Sequence, residues 1–387
     1  MPPPRLPLML SIPHPMRPST PALLALTFAT LAPAAENHLI YLGTYTGGES
    51  KGIYRIHLDA TTGELSTPEF AAEARNPSFL DLHPTRPILY AIDESDSGGG
   101  VTAFNLDRST GALTRLNAES TGAGGVAHLA VDRDARFALV ASYGRGYTAA
   151  FPLSPDGKLQ PRSSLIQHEG PLGPRTDRQE KPHAHSVTFS PDNRFAYVAD
   201  LGLDRVLAFS LDPGAGTLAR HPAGDASVPP GAGPRHSKFS HDGKHFYVFN
   251  ELDATLSAFR HDPATGALSP VQTLSTLPAD SDSPKSGAEI RVHPNDRFVY
   301  ASNRGHDSLT VFARNSDTGE LTFVQNIPSG GAIPRNFNLS PDGAWLVCAH
   351  QDSNSLSVFR VDPTTGRLTA TPNRATIPRP VCVVFVP

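Results

Sequence analysis

Residues 356–368 read LSVFRVDPTTGRL, and the same pattern recurs along the whole chain. Apolar and polar residues alternate up to Val361, which is typical of a half-buried strand, and the Asp-Pro-Thr-Thr-Gly segment then predicts a tight turn into a second strand. Seven copies of this pattern end at Leu65, Leu113, Leu159, Leu218, Leu268, Leu321 and Leu368. A period of about fifty residues indicates a repeat architecture and not a set of separately folded domains.

A second hairpin pattern lies between the copies. Residues 185–200 (HSVTFSPDNRFAYVAD) and residues 235–250 (RHSKFSHDGKHFYVFN) each show two apolar strands around a Pro/Asp/Gly turn. We name these strands a and b, and the two strands of the first pattern c and d. Four short antiparallel strands per repeat, with no amphipathic helix between them, are typical of a propeller blade. The sequence therefore predicts an all-β fold, a seven-bladed β-propeller.

The two ends of the repeat region complete one blade. Residues 38–46 (HLIYLGTYT) align with a b strand, and residues 379–387 (RPVCVVFVP) align with an a strand. We expect these segments to pair, because a blade shared between the terminal strands closes the ring and removes free sheet edges. Residues 36–387 are then a single propeller domain.

Residues 1–35 differ in character from the repeats. Arg17 precedes an apolar stretch at residues 21–31 and a run of small residues at 32–35, which is the layout of a secretory signal peptide, with Met16 a candidate for the true start. The apolar stretch is too short and too rich in proline for a membrane span. We predict export to the periplasm or medium; the alternative is a cytoplasmic protein whose start is misassigned.

Composition narrows the classes of partner. The formal net charge is −4 and the basic residues are scattered, which argues against nucleic acid. Cys348 and Cys382 are the only cysteines, and both lie in apolar strand-like runs, as buried thiols do. A disulfide framework is excluded, whereas a single bridge and the oligomeric state stay open.

Aligned repeats identify polar residues at one end of the ring. Strands a and b form a hairpin, so the start of a and the end of b face the same mouth of the central channel. The aligned residues at the start of a are Ser78, Ala127, His185, Arg235, Ala288 and Arg335. Those at the end of b are Tyr45, Glu94, Tyr143, Leu201, Glu251, Arg304 and Gln351. The longest insertions, at about residues 162–184 and 274–288, precede a strands and are expected over this mouth.

Each candidate also has a structural interpretation. His185 is a candidate for capping a strand, and Glu251 for an ion pair with Arg235 or Arg304. The other face of strand a carries residues expected to form hydrogen bonds between blades, namely His236, Glu289, Arg291 and Asn336. The His183 and His185 side chains are predicted to share a strand face and are considered as a metal pair, but Pro182 and the lack of a clear carboxylate partner disfavour it. We predict no metal and no cofactor.

Four segments carry a family resemblance. Residues 178–206 (RQEKPHAHSVTFSPDNRFAYVADLGLDRV), GAGPRHSKFSHDGKHFYVFNEL, AEIRVHPNDRFVYASNRGHDSLTVF and IPRNFNLSPDGAWLVCAHQDS resemble the bacterial lactonase family. This family includes propeller-type 6-phosphogluconolactonases and a related enzyme that lactonises carboxymuconate. The resemblance implies a metal-independent propeller enzyme that opens or forms a lactone with a His, a Glu and arginines at the channel mouth. Carried over, these are His185, Glu251 and Arg235, with Arg304 as the second arginine and Arg291 and Arg335 as rivals.

The combined prediction is hydrolysis of a sugar lactone, with 6-phosphogluconolactone as the family default and an anionic small molecule as substrate. We assign catalysis to His185 and Glu251. Predicted substrate contacts are Arg235, Arg304, Arg335, Arg291, His183, Glu94, Tyr143 and Gln351. Two alternatives stay open: cycloisomerisation of an unsaturated dicarboxylate at the same site, and a secreted propeller that binds a ligand without catalysis.

Overall fold

A computed structural model describes residues 1–5, 7–13, 37–212, 214 and 216–387. The chain divides into two units, Met1–Ala34 and Ala35–Pro387. Most of the predicted signal peptide, including Met16, Arg17 and the whole apolar stretch, lies outside the described residues. All of the described secondary structure belongs to the second unit.

The second unit consists of short strands. In chain order they are β1 (Asn37–Thr44), β2 (Gly52–Asp59), β3 (Glu69–Glu73), β4 (Leu80–Leu82), β5 (Ile88–Ile92), β6 (Gly100–Leu106), β7 (Leu113–Ser120), β8 (Val126–Val131), β9 (Phe137–Ser142), β10 (Tyr147–Pro152), β11 (Ser164–Gln167), β12 (Ala184–Phe189), β13 (Phe195–Asp200), β14 (Arg205–Asp212), β15 (Thr217–Arg220), β16 (Ala226–Ser227), β17 (Pro234–Phe239), β18 (His245–Asn250), β19 (Thr255–His261), β20 (Leu268–Ser275), β21 (Gly287–Val292), β22 (Phe298–Asn303), β23 (Ser308–Arg314), β24 (Leu321–Pro328), β25 (Pro334–Leu339), β26 (Trp345–His350), β27 (Ser355–Val361), β28 (Leu368–Thr376) and β29 (Pro380–Phe385). Two single 3₁₀ turns, Leu201–Leu203 and Pro222–Gly224, are the helical elements of the described residues, and none of these is long or apolar enough to cross a bilayer.

These strands form seven antiparallel sheets, which confirms the predicted seven-bladed propeller. Blades 1 to 6 are β4–β7, β8–β11, β12–β15, β17–β20, β21–β24 and β25–β28, and the short strand β16 adds to blade 3. Blade 7 joins β29 to β1, β2 and β3, with Ile40 opposite Phe385 in the register. The ring therefore closes through a blade shared by the N- and C-terminal strands, as the sequence predicted.

Apolar side chains fill the space between neighbouring blades. Phe298 and Tyr300 of blade 5, for example, pack in one buried cluster with Phe337, Leu346 and Phe359 of blade 6. Each blade has two faces, and each face packs against a neighbouring blade. The alternation of apolar residues in the sequence therefore reflects packing between blades.

A hydrogen bond from strand b to the next blade is repeated around the ring. In each case a buried tyrosine hydroxyl donates to the carbonyl of the glycine in the c–d turn of the following blade, at 2.7 to 3.0 Å. The pairs are Tyr41 with Gly111, Tyr90 with Gly157, Tyr197 with Gly266, Tyr247 with Gly319, and Tyr300 with Gly366. Between blades 6 and 7, Trp345 Nε1 donates to the Ala60 carbonyl at 2.9 Å instead. The repeated spacing of the turns thus fixes neighbouring blades against each other at six junctions of the ring.

The turn glycine is required on two grounds, as Gly366 shows. Its φ of +72° lies in the left-handed region, where a side chain is strained, and a Cβ there would lie 2.4 Å from the Phe298 ring of blade 5. The Asp-x-x-x-Gly turn therefore also forms part of the contact between two neighbouring blades.

Cys348 and Cys382 are both buried and free. Burial raises the pKa of the Cys382 thiol to about 12. The single bridge that the sequence left open is not formed. Both residues pack in the apolar core, and the Cys382 sulfur also accepts a hydrogen bond from the Leu80 amide at 3.4 Å.

We predict that Tyr300→Phe lowers the free energy of unfolding by about 1–3 kcal/mol, because it leaves the buried Gly366 carbonyl without its donor. Urea denaturation of the purified variant measures the change. Tyr54→Phe is the matched control, since the Tyr54 hydroxyl is partly exposed and makes only a 3.4 Å contact with the Lys51 amide. Equal unfolding midpoints for the two variants would contradict a stabilising role of the inter-blade bond.

Candidate active site

Backbone bulges direct the inner-strand residues toward the channel mouth. The a–b pairing skips Ala127 in blade 2, His185 in blade 3, Arg235 in blade 4 and Arg335 in blade 6. A bulge leaves its residue unpaired and re-aims the side chain, and such bulges occur often beside active sites. His185, Arg235 and Arg335 consequently leave the regular alternation of strand a.

Glu251 is the centre of the polar groups at this mouth. It follows β18, and its amide donates to the Gly233 carbonyl at 2.7 Å. One carboxylate oxygen, Oε2, lies 2.9 Å from Arg235 Nε and 2.9 Å from Arg304 Nη2. The other, Oε1, lies 2.5 Å from Arg178 Nη2. We call Glu251, these three arginines and His185 the Glu251 cluster.

The cluster keeps Glu251 ionised. Its side chain is 6% exposed, and burial alone would favour the neutral acid. Arg304 and Arg235 outweigh burial and hold the pKa of Glu251 well below its usual range. Burial lowers the pKa of Arg235 to about 9, with the neighbouring Arg304 and Arg335 contributing in the same direction. A carboxylate held in this way is a weak base but a strong anchor for guanidinium groups.

His185, in contrast to the ionised Glu251, is an uncharged side chain. Its ring is buried, its Nδ1 has no hydrogen-bond partner among the described residues, and its Nε2 lies 3.9 Å from Glu251 Oε2, beyond hydrogen-bond distance. Burial, followed by the positive charge of Arg235, lowers the pKa of His185 well below its usual value. The imidazole is therefore neutral at pH 7 and retains a lone pair that can accept a proton.

A second group of polar side chains adjoins this cluster. Arg335 Nη2 donates to the Tyr45 hydroxyl at 2.7 Å, and the Tyr45 hydroxyl donates to Glu94 Oε2 at 2.9 Å. Burial raises the pKa of Tyr45 to about 12, so the phenol keeps the proton that it donates. Glu94 and Arg335 line one small pocket together with His185 and Arg235. The structure thus brings aligned residues of six blades to the same mouth.

His183 and Tyr143 lie at the edge of the mouth. The two rings stack at 4.4 Å between centroids, while His185 meets Tyr143 edge-on at 5.4 Å. His183 Nδ1 lies 2.8 Å from the Tyr143 carbonyl oxygen and its Nε2 lies 3.1 Å from Glu180 Oε1. Both ring nitrogens of His183 therefore have protein partners, a backbone carbonyl at Nδ1 and a carboxylate at Nε2.

Gln351 lies at the end of strand b of blade 6, as expected. Its amide nitrogen donates to Asp352 Oδ1 at 2.9 Å, and its buried Oε1 has no partner among the described residues.

Arg291 lies away from the Glu251 cluster. Its Nη1 is 3.3 Å from Glu289 Oε1, and Glu289 also meets His236 Nδ1 at 3.2 Å and the amide of Asn336. The predicted hydrogen bond between blades is made by Asn336 and Glu289. His236 of blade 4 is near enough to Glu289 for an ion pair but has no hydrogen bond at Nδ1, and the contact of Arg291 with Glu289 lies within blade 5. Arg291 lines a cavity at the opposite end of the channel, so the geometry does not support it as a rival to Arg304.

Sequence reasoning missed Arg178. It belongs to the long connection between β11 and β12, and its half-buried side chain contacts Glu251 and the Tyr143 hydroxyl, the latter at 3.1 Å. The length of the insertion was the available signal, and it placed the loop over the mouth. Which of its several charged residues turns inward depends on contacts with blades 2 and 4.

Fold and site together define a class of protein. A rigid propeller holds a neutral imidazole and a group of guanidiniums at one mouth of its channel, and the Arg304 Nε is buried there without a partner among the described residues. Such an arrangement suits a propeller enzyme that acts on an oxygen-rich small molecule, with a base for proton transfer and cations for developing negative charge.

Comparison with known proteins specifies the family. The family described as "Lactonase, 7-bladed beta-propeller" matches residues 39–385, and the chain belongs to it and is a lactone hydrolase. The chain is 39% identical to the 6-phosphogluconolactonase of Bacillus subtilis over 89% of this chain and 97% of that one. It is 31% identical to the 6-phosphogluconolactonase of Formosa agariphila, covering 87% and 96%. A solved structure, the periplasmic gluconolactonase of Pseudomonas aeruginosa, superposes with a TM-score of 0.86 at 30% identity, covering 91% and 99%.

We predict that the free energy of unfolding falls as the pH drops from 7.5 to 5.5. Burial holds the pKa values of His128, His185 and His236 well below the usual 6.5, so the unfolded chain binds protons there that the folded chain does not. Each such histidine contributes up to about 1.4 kcal/mol per pH unit below its unfolded pKa. Urea denaturation across this range measures the slope.

The variant His236→Gln tests the source of this slope. It removes one of the three buried imidazoles, so its stability should depend less steeply on pH than that of the unmodified protein. A pH-independent free energy of unfolding between pH 7.5 and 5.5 would show that these histidines are not buried in neutral form.

Proposed function

We propose that this chain hydrolyses the ring ester of a six-carbon sugar lactone at the Glu251 cluster, with 6-phosphogluconolactone as the first candidate substrate. The observation that carries the proposal is the position of the His185 imidazole beside Glu251 and its arginines. Ester hydrolysis needs a base near water and cations near the carbonyl oxygen, and the cluster contains both. The names of the Bacillus and Formosa relatives support this substrate.

In the proposed reaction, His185 takes a proton from water as the water oxygen bonds to the lactone carbonyl carbon. Negative charge moves to the carbonyl oxygen, where Arg235 and Arg304 have guanidinium donors to stabilise it. The ring C–O bond then breaks, and the imidazolium of His185 returns the proton to the departing ring oxygen. Glu251 assists as an ionised group, because a carboxylate oxygen 3.9 Å from His185 Nε2 favours the imidazolium that forms.

The charges at the mouth favour an anionic substrate. Arg178, Arg235, Arg304 and Arg335 bring four guanidiniums, and Glu94 and Glu251 bring two carboxylates. Guanidinium groups bind phosphate and carboxylate through paired hydrogen bonds. Arg178 is the arginine best placed to meet the distal end of a substrate, since its side chain is 38% exposed on a loop above the mouth.

Unphosphorylated gluconolactone is the second candidate. The Pseudomonas relative carries the name periplasmic gluconolactonase, and the N-terminal sequence of this chain has the layout of an export signal. We propose that the chain is exported to the periplasm or the medium. Phosphorylated sugars are scarce there, because cells retain them. An exported enzyme would then act on the lactone without its phosphate.

We predict that His185→Ala lowers kcat by about a hundredfold to ten-thousandfold, the usual value of general base assistance, while KM changes little. Glu251→Gln should lower kcat and also destabilise the fold, because Arg235 and Arg304 lose their buried counter-charge. Steady-state kinetics on 6-phosphogluconolactone and gluconolactone measure both effects. His57→Ala, on strand c of blade 7, is the matched control and should retain activity. Unchanged hydrolysis in both site variants would refute the assignment.

A substrate panel separates the candidates. We predict turnover of six-carbon lactones, with kcat/KM for the phosphorylated form reduced at least tenfold by Arg178→Met and that for gluconolactone changed much less, because the half-exposed guanidinium contacts the added phosphate. Arg194→Met, an exposed arginine on the turn between β12 and β13, serves as the control. A preference for gluconolactone would favour export. Turnover of an unsaturated dicarboxylate in place of lactones would overturn hydrolysis in favour of cycloisomerisation.

A further inference from the structure

The opposite end of the channel contains a second cavity. Its volume is about 550 Å³, within the usual range for small-molecule sites, and residues from the inner strands of all seven blades line it. It is much larger than the small pocket beside the Glu251 cluster. The proposed lactone chemistry uses none of its residues.

A layer of three rings in mutual contact separates this cavity from the Glu251 cluster. Phe79 of blade 1 lies 3.9 Å from His128 of blade 2, His128 lies 5.3 Å from His236 of blade 4, and Phe79 lies 5.8 Å from His236. These distances join ring centroids, so the three side chains meet across the channel axis. A ligand in the cavity would be on the far side of this layer from His185.

Two cations at the cavity lack full compensation. Lys238 Nζ makes no hydrogen bond or ion pair with any described residue, and burial together with the neighbouring Arg291 lowers the pKa of Lys238 to about 8. Arg291 forms an ion pair with Glu289 through Nη1, but its Nε is buried without a partner among the described residues. An ammonium group whose pKa is lowered by burial and by a neighbouring guanidinium is stabilised when an anion binds between the two cations.

The nearby carboxylates, Asp81 and Glu289, already have hydrogen-bond or ion-pair partners. Asp81 accepts from the Leu82 and Val131 amides at 2.9 Å each, one bond to each of its oxygens. Glu289 is fully buried and shared among its partners in blades 4, 5 and 6. Both carboxylates favour the charged form of Lys238, but neither forms an ion pair with it, so an external anion would not displace an existing bond to that ammonium group.

The walls of the cavity combine an apolar belt from the ends of strand a with polar residues of the a–b turns, Arg133 and His241 among them. The last residue of strand a is apolar in every blade: Leu82, Val131, Phe189, Phe239, Val292, Leu339 and Phe385. All of them line the cavity, whereas Lys238 and Arg291 lie one residue deeper in the channel. The occupant should therefore carry its charge at one end and an apolar body at the other.

We propose that this cavity, the Lys238 pocket, binds a small organic anion, namely a carboxylate with an apolar body, independently of the lactone site. Apolar burial against the seven rim residues would supply affinity, and the carboxylate would be oriented by the Lys238 and Arg291 side chains.

Isothermal titration calorimetry with 1-naphthoate tests the proposal on the full chain. We expect saturable binding of one molecule per chain, with at least tenfold weaker binding of 1-naphthalenemethanol, which has the same apolar body and no charge. Lys238→Met and Arg291→Met should each weaken naphthoate binding at least tenfold. Arg304→Met, which removes a cation at the other mouth, should leave it unchanged.

Circular dichroism and thermal melting confirm that each variant is folded. Two substitutions that act through different strands, β17 and β21, keep the test valid if one variant fails to fold. Binding lost in Arg304→Met but retained in Lys238→Met would place naphthoate at the lactone site and overturn the proposal. So would equal binding of the acid and the alcohol, or no saturable binding at millimolar naphthoate.

Discussion

The hydrogen bond from a strand b tyrosine to the turn glycine of the next blade is the constraint on which the rest of this structure depends. It recurs at five blade junctions, and Trp345 supplies its counterpart at a sixth. Because each bond ties one blade to the next, and β29 pairs with β1, an error in the angle of one blade would be carried to the ring closure. The result is a frame in which side chains from distant parts of the chain keep fixed distances.

That frame makes the Glu251 cluster feasible. A buried carboxylate and three guanidiniums from separate elements would cost free energy if any partner moved away, since each would become an uncompensated charge. Held by the ring, Glu251 instead stays ionised and leaves His185 as the neutral group able to accept a proton. The burial that lowers the pKa of His185 is therefore a consequence of propeller packing.

The two ends of the channel have different chemistry because strand a changes character along its length. Its bulged first residues bring His185, Arg235 and Arg335 to one mouth, and its last residues form an apolar rim at the other. The ring layer of Phe79, His128 and His236 lies between them. The two ends of strand a thus contribute different groups to the two mouths.

The repeat in the sequence determined the seven blades, the shared terminal blade and the mouth at which His185, Arg235, Glu251 and Arg304 gather, because strand ends follow directly from period and alternation. Only the tertiary structure decided the rest. Alternation predicts side-chain direction while pairing is regular, and bulges interrupt it at His185 and Arg235. The inward turn of Arg178, and the position of Arg291 beside Glu289 at the far end of the channel, depend on contacts that exist only once the ring has closed.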